Sequence, residues 1–294
     1  MKSIRFTWAT AMCASLALFI ISCQKNDHPI TSGMQGSTQS LLMNATNDVA
    51  QAAALESSDV EDILTSGDSS SCPMITFDTA RNVYPHVKTI DYGSGCMGKD
   101  SINRTGKKIV TVYANRDTAS PGTLVCVATF ESYTINGMSD TGSVKTYVDS
   151  SSTSAMKVYK IVSSQTLMST NGDSKTFTGT HYWKQMQGGT TTTGKDNVFQ
   201  ITGSSSGTET LDGATQFTYT ATISPTNPVI KRGDCDHRVQ GSVDVAIKLT
   251  SGNSNFTEVL DYGTGDCDNN ATLSINGGTP QVVTLPLYFW PLSL

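Results

Sequence analysis

Two copies of one acidic tetrapeptide are the residues whose types and spacing most directly suggest chemistry. Gly233-Asp234-Cys235-Asp236 and Gly265-Asp266-Cys267-Asp268 each place a carboxylate on both sides of a cysteine. In an extended strand, residues i and i+2 share one face, and the residue between them points to the other. If the two cysteines bond, their four flanking carboxylates are crowded together, and a Ca²⁺ ion, which takes about six to eight oxygen ligands, neutralises such a group. The alternative is four solvated carboxylates at strand ends.

A second motif matches the nucleophile elbow of serine hydrolases. Gly203-Ser204-Ser205-Ser206-Gly207 has the pattern Gly-x-Ser-x-Gly, with Ser205 in the position of the nucleophile. The elbow needs a strand before the serine and a helix after it. Residues 208–213 instead have the pattern of another strand and a turn. We therefore predict no catalytic residue, and a hydrolase is the last of the functions that we consider.

Tyr182 and Trp183 form an aromatic pair beside His181 and Lys184. Aromatic rings with polar neighbours can stack on a sugar, so the pair is a candidate glycan-binding site. The alternative is core packing, because alternate residues of any strand face inward.

The cysteines follow an internal repeat. Residues 87–96 and 258–267 both carry a strand-like segment into an Asp-Tyr-Gly-(Ser/Thr)-Gly turn that ends on a cysteine, and each has a further cysteine upstream. Of the three pairings that four cysteines allow, the repeat favours Cys72–Cys96 and Cys235–Cys267, which requires an oxidising compartment. Absence of any disulfide is the alternative. Cys126, within an apolar run, is predicted to be a buried free thiol.

The elements that position these residues are strands. From residue 72 onward, apolar and polar residues alternate with a period of two, most regularly in residues 217–223 and 243–249. Further strands are expected at 108–113, 124–133, 157–162 and 198–202. Hairpin turns are expected at Asn136-Gly137, Asn171-Gly172, Asp212-Gly213 and Asn276-Gly277, because such pairs accept positive φ angles. The sequence predicts an all-β, antiparallel β-sandwich or barrel-like domain over residues 72–294, with two tandem domains as the alternative.

The N-terminus has the pattern of an export signal. Two basic residues, Lys2 and Arg5, precede an uncharged run over residues 6–21. This run is shorter than the roughly 20 residues of a membrane-spanning helix, so residues 1–22 are predicted to be a removed secretory signal. Residues 23–71 are predicted to be a polar tether with a short helix near residues 47–64.

The end of that signal resembles the lipobox of bacterial lipoproteins. The residues concerned are Ile20-Ile21-Ser22-Cys23. The resemblance implies that Cys23 becomes the lipidated N-terminus and holds the chain to a membrane, since two or more acyl chains anchor a protein firmly. Gln24 stands where an aspartate would favour inner-membrane retention, so the outer membrane is the expected address. The alternatives are an ordinary cleaved signal and a short anchor helix.

Three segments of the body resemble uncharacterised Bacteroidetes-type cell-envelope lipoproteins. They are residues 89–96 with the Asp-Tyr-Gly-Ser-Gly-Cys turn, residues 106–110, and residues 199–207. This resemblance implies a cell-envelope address and a β-rich fold, and it implies no particular activity.

Composition narrows the classes of function. Charged residues are 15% of the chain and the net charge is −5, which argues against a nucleic-acid partner because such a partner requires a basic face. We expect a non-enzymatic lipid-anchored protein with a binding or structural role at the cell surface or in the periplasm, with no cofactor other than the candidate calcium. A glycan-binding module is the first alternative and a serine hydrolase the second.

Overall fold

A computed structural model describes residues 72–97, 103–188, 194–235, 237–250 and 254–284. The predicted signal peptide, Cys23 and the tether with its helix lie outside the described residues. Within them the chain consists of fifteen strands and a 3₁₀ turn at Gly194–Asp196. The predicted all-β, antiparallel class is therefore confirmed. The described part of the chain holds no helix of the length and apolar character needed to span a membrane.

The strands in chain order are β1 (Met74–Phe77), β2 (His86–Asp91), β3 (Cys96–Met97), β4 (Asn103–Val112), β5 (Leu124–Ile135), β6 (Met138–Val148), β7 (Val158–Met168), β8 (Ser174–Gln187), β9 (Val198–Leu211), β10 (Ala214–Ile223), β11 (Val229–Arg232), β12 (Arg238–Leu249), β13 (Asn255–Thr264), β14 (Asn270–Ile275) and β15 (Gln281–Thr284). All belong to one sheet, in the order β1-β2-β4-β5-β6-β7-β8-β9-β10-β12-β13-β14-β15, with β3 beside β4. β11 pairs with β9 and β12, as β10 does, so β10 and β11 form one long strand interrupted by residues 224–228.

Neighbouring strands alternate in direction, so every connection between neighbouring strands falls at one of two ends of the sheet. One end, the loop end, carries the connections 78–85, 113–123, 149–157, 188–197, 233–237 and 265–269. The other, the turn end, carries 136–137, 169–173, 212–213, 250–254 and 276–280, together with residues 92–102, which include β3. Cys72 lies at the turn end, because β1 begins opposite Asp91 at the end of β2. The predicted tether therefore joins the sheet at the end opposite the long loops.

Turn chemistry explains the short connections. At Asn136-Gly137, Asp212-Gly213 and Asn276-Gly277 both residues have positive φ, as the predicted hairpin turns require. The fourth predicted pair differs, since only Gly172 has a positive φ and the connection spans residues 169–173.

One face of the sheet is buried from β2 to β15 in a single apolar core. A flat sheet cannot bury its own face, yet Val110, Val144 and Leu260 are fully buried, so the sheet curves over itself. Glycines inside strands permit this curvature. At Gly142 (φ 116°) a Cβ would lie 2.0 Å from the Ser164 carbonyl oxygen, and at Gly203 (φ 127°) it would lie 2.3 Å from the Thr180 carbonyl oxygen.

The internal repeat is visible in the structure. In each copy the turn aspartate accepts a hydrogen bond from the glycine amide two residues later: Asp91 from Gly93 and Asp261 from Gly263, both at 2.8 Å. The tyrosine between them is buried in both copies. β2 and β13 run in opposite directions in the sheet order. The strands of the two copies therefore run in opposite directions, and their Asp-Tyr-Gly turns lie at opposite ends of the sheet.

Both favoured disulfides are present. Cys72–Cys96 closes the turn end with a Cα–Cα distance of 5.9 Å, and Cys235–Cys267 closes the loop end with a distance of 5.7 Å. Structural disulfides persist in oxidising compartments, so the protein works outside the cytosol. Cys126 is a free, buried cysteine, as predicted. Burial raises the pKa of its thiol to about 12, against a lesser opposing effect of the neighbouring Thr146 hydroxyl.

Candidate functional site

The predicted aromatic pair is divided between the two faces of β8. Trp183 points inward, is 1% exposed and packs against Phe199 with the ring centroids 5.5 Å apart. Tyr182 is half-buried on the outer face. The two rings cannot bind one sugar together, because consecutive residues of a strand point to opposite sides. Trp183 is a core residue, so the prediction that both rings bind a glycan is wrong for Trp183. Only Tyr182 remains a candidate for glycan binding.

Tyr182 instead has partners on the two preceding strands. It lies opposite Lys160 of β7, and Lys160 lies opposite Tyr147 of β6. All three are outward-facing and half-buried. Directly opposed residues have Cβ atoms about 4.5–5.5 Å apart, so a lysine lies between two tyrosines in one row across three strands.

Two more lysines surround this row. Lys145 precedes Tyr147 by two positions on the outer face of β6, and Lys184 follows Tyr182 by two positions on β8. We call Lys145, Tyr147, Lys160, Tyr182 and Lys184 the lysine–tyrosine face. Within the described residues none of its lysines forms an ion pair. The face lies in the half of the sheet nearer the loop end.

The outer surface of β6 to β10 carries no carboxylate. The only acidic residues of these five strands are Asp140 and Glu209, and both are buried on the inner face. Asp149, just beyond the loop end of β6, accepts hydrogen bonds from the amide and hydroxyl of Ser151 at 2.9 and 2.6 Å. Burial opposes ionisation of Asp149, but the Ser151 hydrogen bonds and the nearby Lys160 outweigh that effect and lower its pKa.

A regular array of hydroxyl groups continues the same outer surface toward the turn end. Its members, which we call the hydroxyl field, face outward on three adjacent strands and lie directly opposite one another: Thr176, Thr178 and Thr180 on β8, Ser204, Ser206 and Thr208 on β9, and Thr218, Thr220 and Thr222 on β10. Two of these hydroxyls, Thr178 and Ser206, are 3.2 Å apart and share a hydrogen bond. Each hydroxyl can donate one hydrogen bond and accept others.

The acidic tetrapeptides are held by a cation of the chain itself. The Arg232 guanidinium donates to both carboxylate oxygens of Asp234 at 2.8 and 2.6 Å, and to the Gly265 carbonyl at 3.2 Å. The hydrogen bonds from Arg232 hold the pKa of Asp234 below its usual range. Lys231 donates to the carbonyl of Cys235 at 2.6 Å. These bonds join the two tetrapeptides beside their disulfide.

The calcium site stays a prediction. Asp236 lies outside the described residues, Asp266 and Asp268 are exposed, and Asp268 accepts a hydrogen bond from the amide of Asn270 at 2.9 Å. Among the described residues no cluster of three or more histidine, cysteine or acidic side chains is arranged to hold a metal ion. Thermal unfolding with calcium and with chelator tests the prediction, and an unchanged midpoint excludes the site.

Ser205 does not lie on a nucleophile elbow. The whole Gly203–Gly207 segment is part of the uninterrupted strand β9, which continues to Leu211. Ser205 faces inward beside Gly179, where an added Cβ would lie 3.0 Å from Ser205 Cβ, 3.3 Å from Ser163 Oγ and 3.4 Å from His181 Cε1. Ser163 and His181 are buried. These side chains are packed into the interior, which is not the exposed position that an elbow gives its nucleophile.

Charged groups on the inner face form pairs within the core. Lys175 and Glu209 form an ion pair at 3.3 Å, and Gln165 donates to Asp140 at 3.1 Å. Buried charges are tolerated when paired and hydrogen-bonded. This arrangement supports a structural role for the inner polar groups.

The residues that form the lysine–tyrosine face together with Tyr182 were not identified from the sequence. Residues 138–148 and 174–187 were not among the expected strands, so Tyr147 and Lys160 had no neighbours to which they could be assigned. The predicted turn at Asn171-Gly172 indicates a β7–β8 hairpin, but a two-residue turn there would place Lys160 opposite Trp183. The observed connection spans residues 169–173 and shifts the register by one residue, so that Lys160 lies opposite Tyr182.

No family model, curated protein or solved structure matches this chain. The chemistry of its surface is therefore the basis for a candidate site. The lysine–tyrosine face offers two aromatic rings and three cations, and the hydroxyl field extends it with hydrogen-bonding groups. Such a surface can bind a ligand.

Proposed function

We propose that this protein is a non-enzymatic, lipid-anchored binding protein of the bacterial cell envelope, in keeping with its resemblance to Bacteroidetes-type lipoproteins. One observation carries the proposal: three adjacent strands bring two tyrosines and three lysines together on a surface without a carboxylate. The chain as a whole has a net charge of −5, so random placement of charges does not favour such a surface.

The anchor is supported by the sequence before residue 72. Because the N-terminus resembles an export signal and the residues that end at Cys23 resemble a lipobox, we propose that Cys23 is lipidated. The proposed location is the outer membrane. Residues 24–71 then serve as a spacer, which at about 3.3 Å per extended residue can reach on the order of 150 Å. The tether joins the sheet at the turn end, and the lysine–tyrosine face lies nearer the other end.

Binding is tested with the mature lipoprotein in detergent micelles on an array of peptidoglycan, lipopolysaccharide, capsular polysaccharides and neutral glycans. We expect retention on at least one surface, and loss of that retention in the Tyr147→Ala/Tyr182→Ala variant. Tyr84→Ala removes an exposed tyrosine from the connection 78–85, at the β1 edge of the sheet, and is the matched control. No retention on any surface contradicts a glycan-binding role, and equal retention by the double variant contradicts this face.

The anchor is tested separately by metabolic labelling with an alkyne fatty acid. The wild-type protein should incorporate the label and Cys23→Ser should not. A labelled Cys23→Ser protein, or an unlabelled wild type, contradicts lipidation at this residue.

A further inference from the structure

We infer that the lysine–tyrosine face binds an acidic polysaccharide, one whose sugars carry carboxylate or sulfate groups. The inference rests on the proposed binding function and names its ligand. In this arrangement Tyr147 and Tyr182 stack on the apolar faces of sugar rings, and Lys145, Lys160 and Lys184 neutralise the acidic groups.

The positive charge of the lysine–tyrosine face favours an acidic ligand. Three lysines without ion-pair partners among the described residues lie on adjacent strands, and no outward carboxylate occurs on β6 to β10. A surface of one sign attracts ligands of the other sign and repels its own. A neutral glycan would gain only hydrogen bonds from the three ammonium groups, whereas an acidic one would also gain charge attraction from each.

The spacing of the two tyrosines favours a chain of sugars over a single sugar. Tyr147 and Tyr182 are separated by two strand spacings, which is about 9.5 Å, with Lys160 between them. This separation exceeds one sugar ring, so a single monosaccharide cannot contact both tyrosines. A chain that crosses the strands can place one sugar on each ring and an acidic group over Lys160.

The hydroxyl field distinguishes a polysaccharide from an anionic membrane. Its nine Ser and Thr hydroxyls can exchange hydrogen bonds with sugar hydroxyls along a chain. Attraction to an anionic bilayer depends on basic residues and does not require an extended array of hydroxyl groups. The field also adjoins the face directly, because Thr180 is two positions from Tyr182 on β8.

The test uses the mature lipoprotein in detergent micelles, with biolayer interferometry on polygalacturonate, on its fully methyl-esterified form and on chondroitin sulfate. The ester keeps the sugar backbone of polygalacturonate and removes its charge. We expect at least one of the two acidic polymers to bind at least tenfold more tightly than the ester, and added salt to weaken that binding.

Lysine variants test whether binding of the acidic polymer depends on the lysine–tyrosine face. An exposed charge pair contributes up to about 1 kcal/mol, so Lys160→Gln should weaken binding of the acidic polymer about two- to fivefold. Lys145→Gln/Lys160→Gln/Lys184→Gln should weaken it about tenfold or more. Lys107→Gln, which removes a partly exposed lysine of β4 outside both the face and the hydroxyl field, should leave the affinity within about twofold. The lysine side chains lie on the surface, and unchanged circular dichroism confirms that the variants are folded.

The outcomes separate this inference from the proposed function. If neither acidic polymer binds more tightly than the ester, or if the lysine variants keep wild-type affinity, the acidic ligand is overturned and glycan binding is left intact. Binding of neither acidic polymer overturns it as well, and retention on the glycan array then decides the broader proposal. Lysine-dependent binding to phosphatidylglycerol vesicles without binding to the polymers assigns the face to a membrane and also overturns it.

Discussion

Replacement of Trp183 by alanine tests the side-chain alternation on which the candidate site depends. Trp183 is 1% exposed and packs against Phe199, whereas Tyr182, its neighbour in sequence, is on the outer face. Truncation of a buried tryptophan costs about 3–5 kcal/mol. For a domain of this size one kcal/mol corresponds to about 2–4 °C in Tm, so we expect Tm to fall by about 10 °C.

The matched variant is Tyr182→Ala. A surface substitution that breaks no buried contact changes stability by less than about 1 kcal/mol, so the Tm of this variant should stay within about 3 °C of wild type. Thermal unfolding followed by circular dichroism measures both variants under the same conditions. The reasoning is refuted if Tyr182→Ala is the more destabilised of the two, because the inward and outward residues of β8 would then be exchanged.

Three further predictions concern cysteines and charges. Cys126 should resist alkylation by iodoacetamide at pH 8 in the folded protein and react after denaturation, because burial raises the pKa of its thiol to about 12; rapid labelling of the native state would contradict this. Removing the Cys235–Cys267 bond with the double Ser variant should cost about 3.5 kcal/mol in urea unfolding by the chain-entropy relation, whereas an unchanged midpoint would show that the bond does not constrain the unfolded chain. The pKa of Asp234 is lowered by Arg232, so this carboxylate contributes stability above its unfolded pKa and loses it as the pH falls through the lower folded value. Arg232→Ala should therefore raise the Asp234 pKa in a carboxyl NMR titration, and an unmoved titration would exclude the pair in solution.

Local patterns were sufficient to predict the fold class and the disulfides. Residues 217–223 and 243–249 alternate without a break, and both lie inside strands, β10 and β12. Asn-Gly and Asp-Gly pairs have strong conformational preferences of their own, which is why three of the four turns have the expected φ angles. The repeated Asp-Tyr-Gly turn likewise indicated which cysteines pair.

The candidate site could not be predicted in the same way, because it depends on which strands are neighbours. Tyr147 and Lys160 meet across the connection 149–157, whose length and conformation are not specified by a short turn motif. The direction of the Trp183 side chain was equally open, since residues 181–184 are all compatible with either face of a strand. Tertiary packing settles this by burying the larger ring.

The acidic tetrapeptides illustrate a different limit. The sequence indicated four carboxylates that would be crowded together if the two cysteines bond, and the structure shows that Arg232 binds one of them. The arginine precedes Asp234 by only two residues, yet its contact requires the chain to turn between β11 and β12.

Lysine footprinting in the native envelope tests the central claim most directly. Intact envelopes and the purified mature protein are acetylated under identical conditions, and the modified lysines are quantified by mass spectrometry. If the lysine–tyrosine face is the binding surface, Lys145, Lys160 and Lys184 are protected in the envelope relative to the purified protein, and Lys107 of β4 is labelled equally in both. Equal labelling of all four lysines would contradict the account.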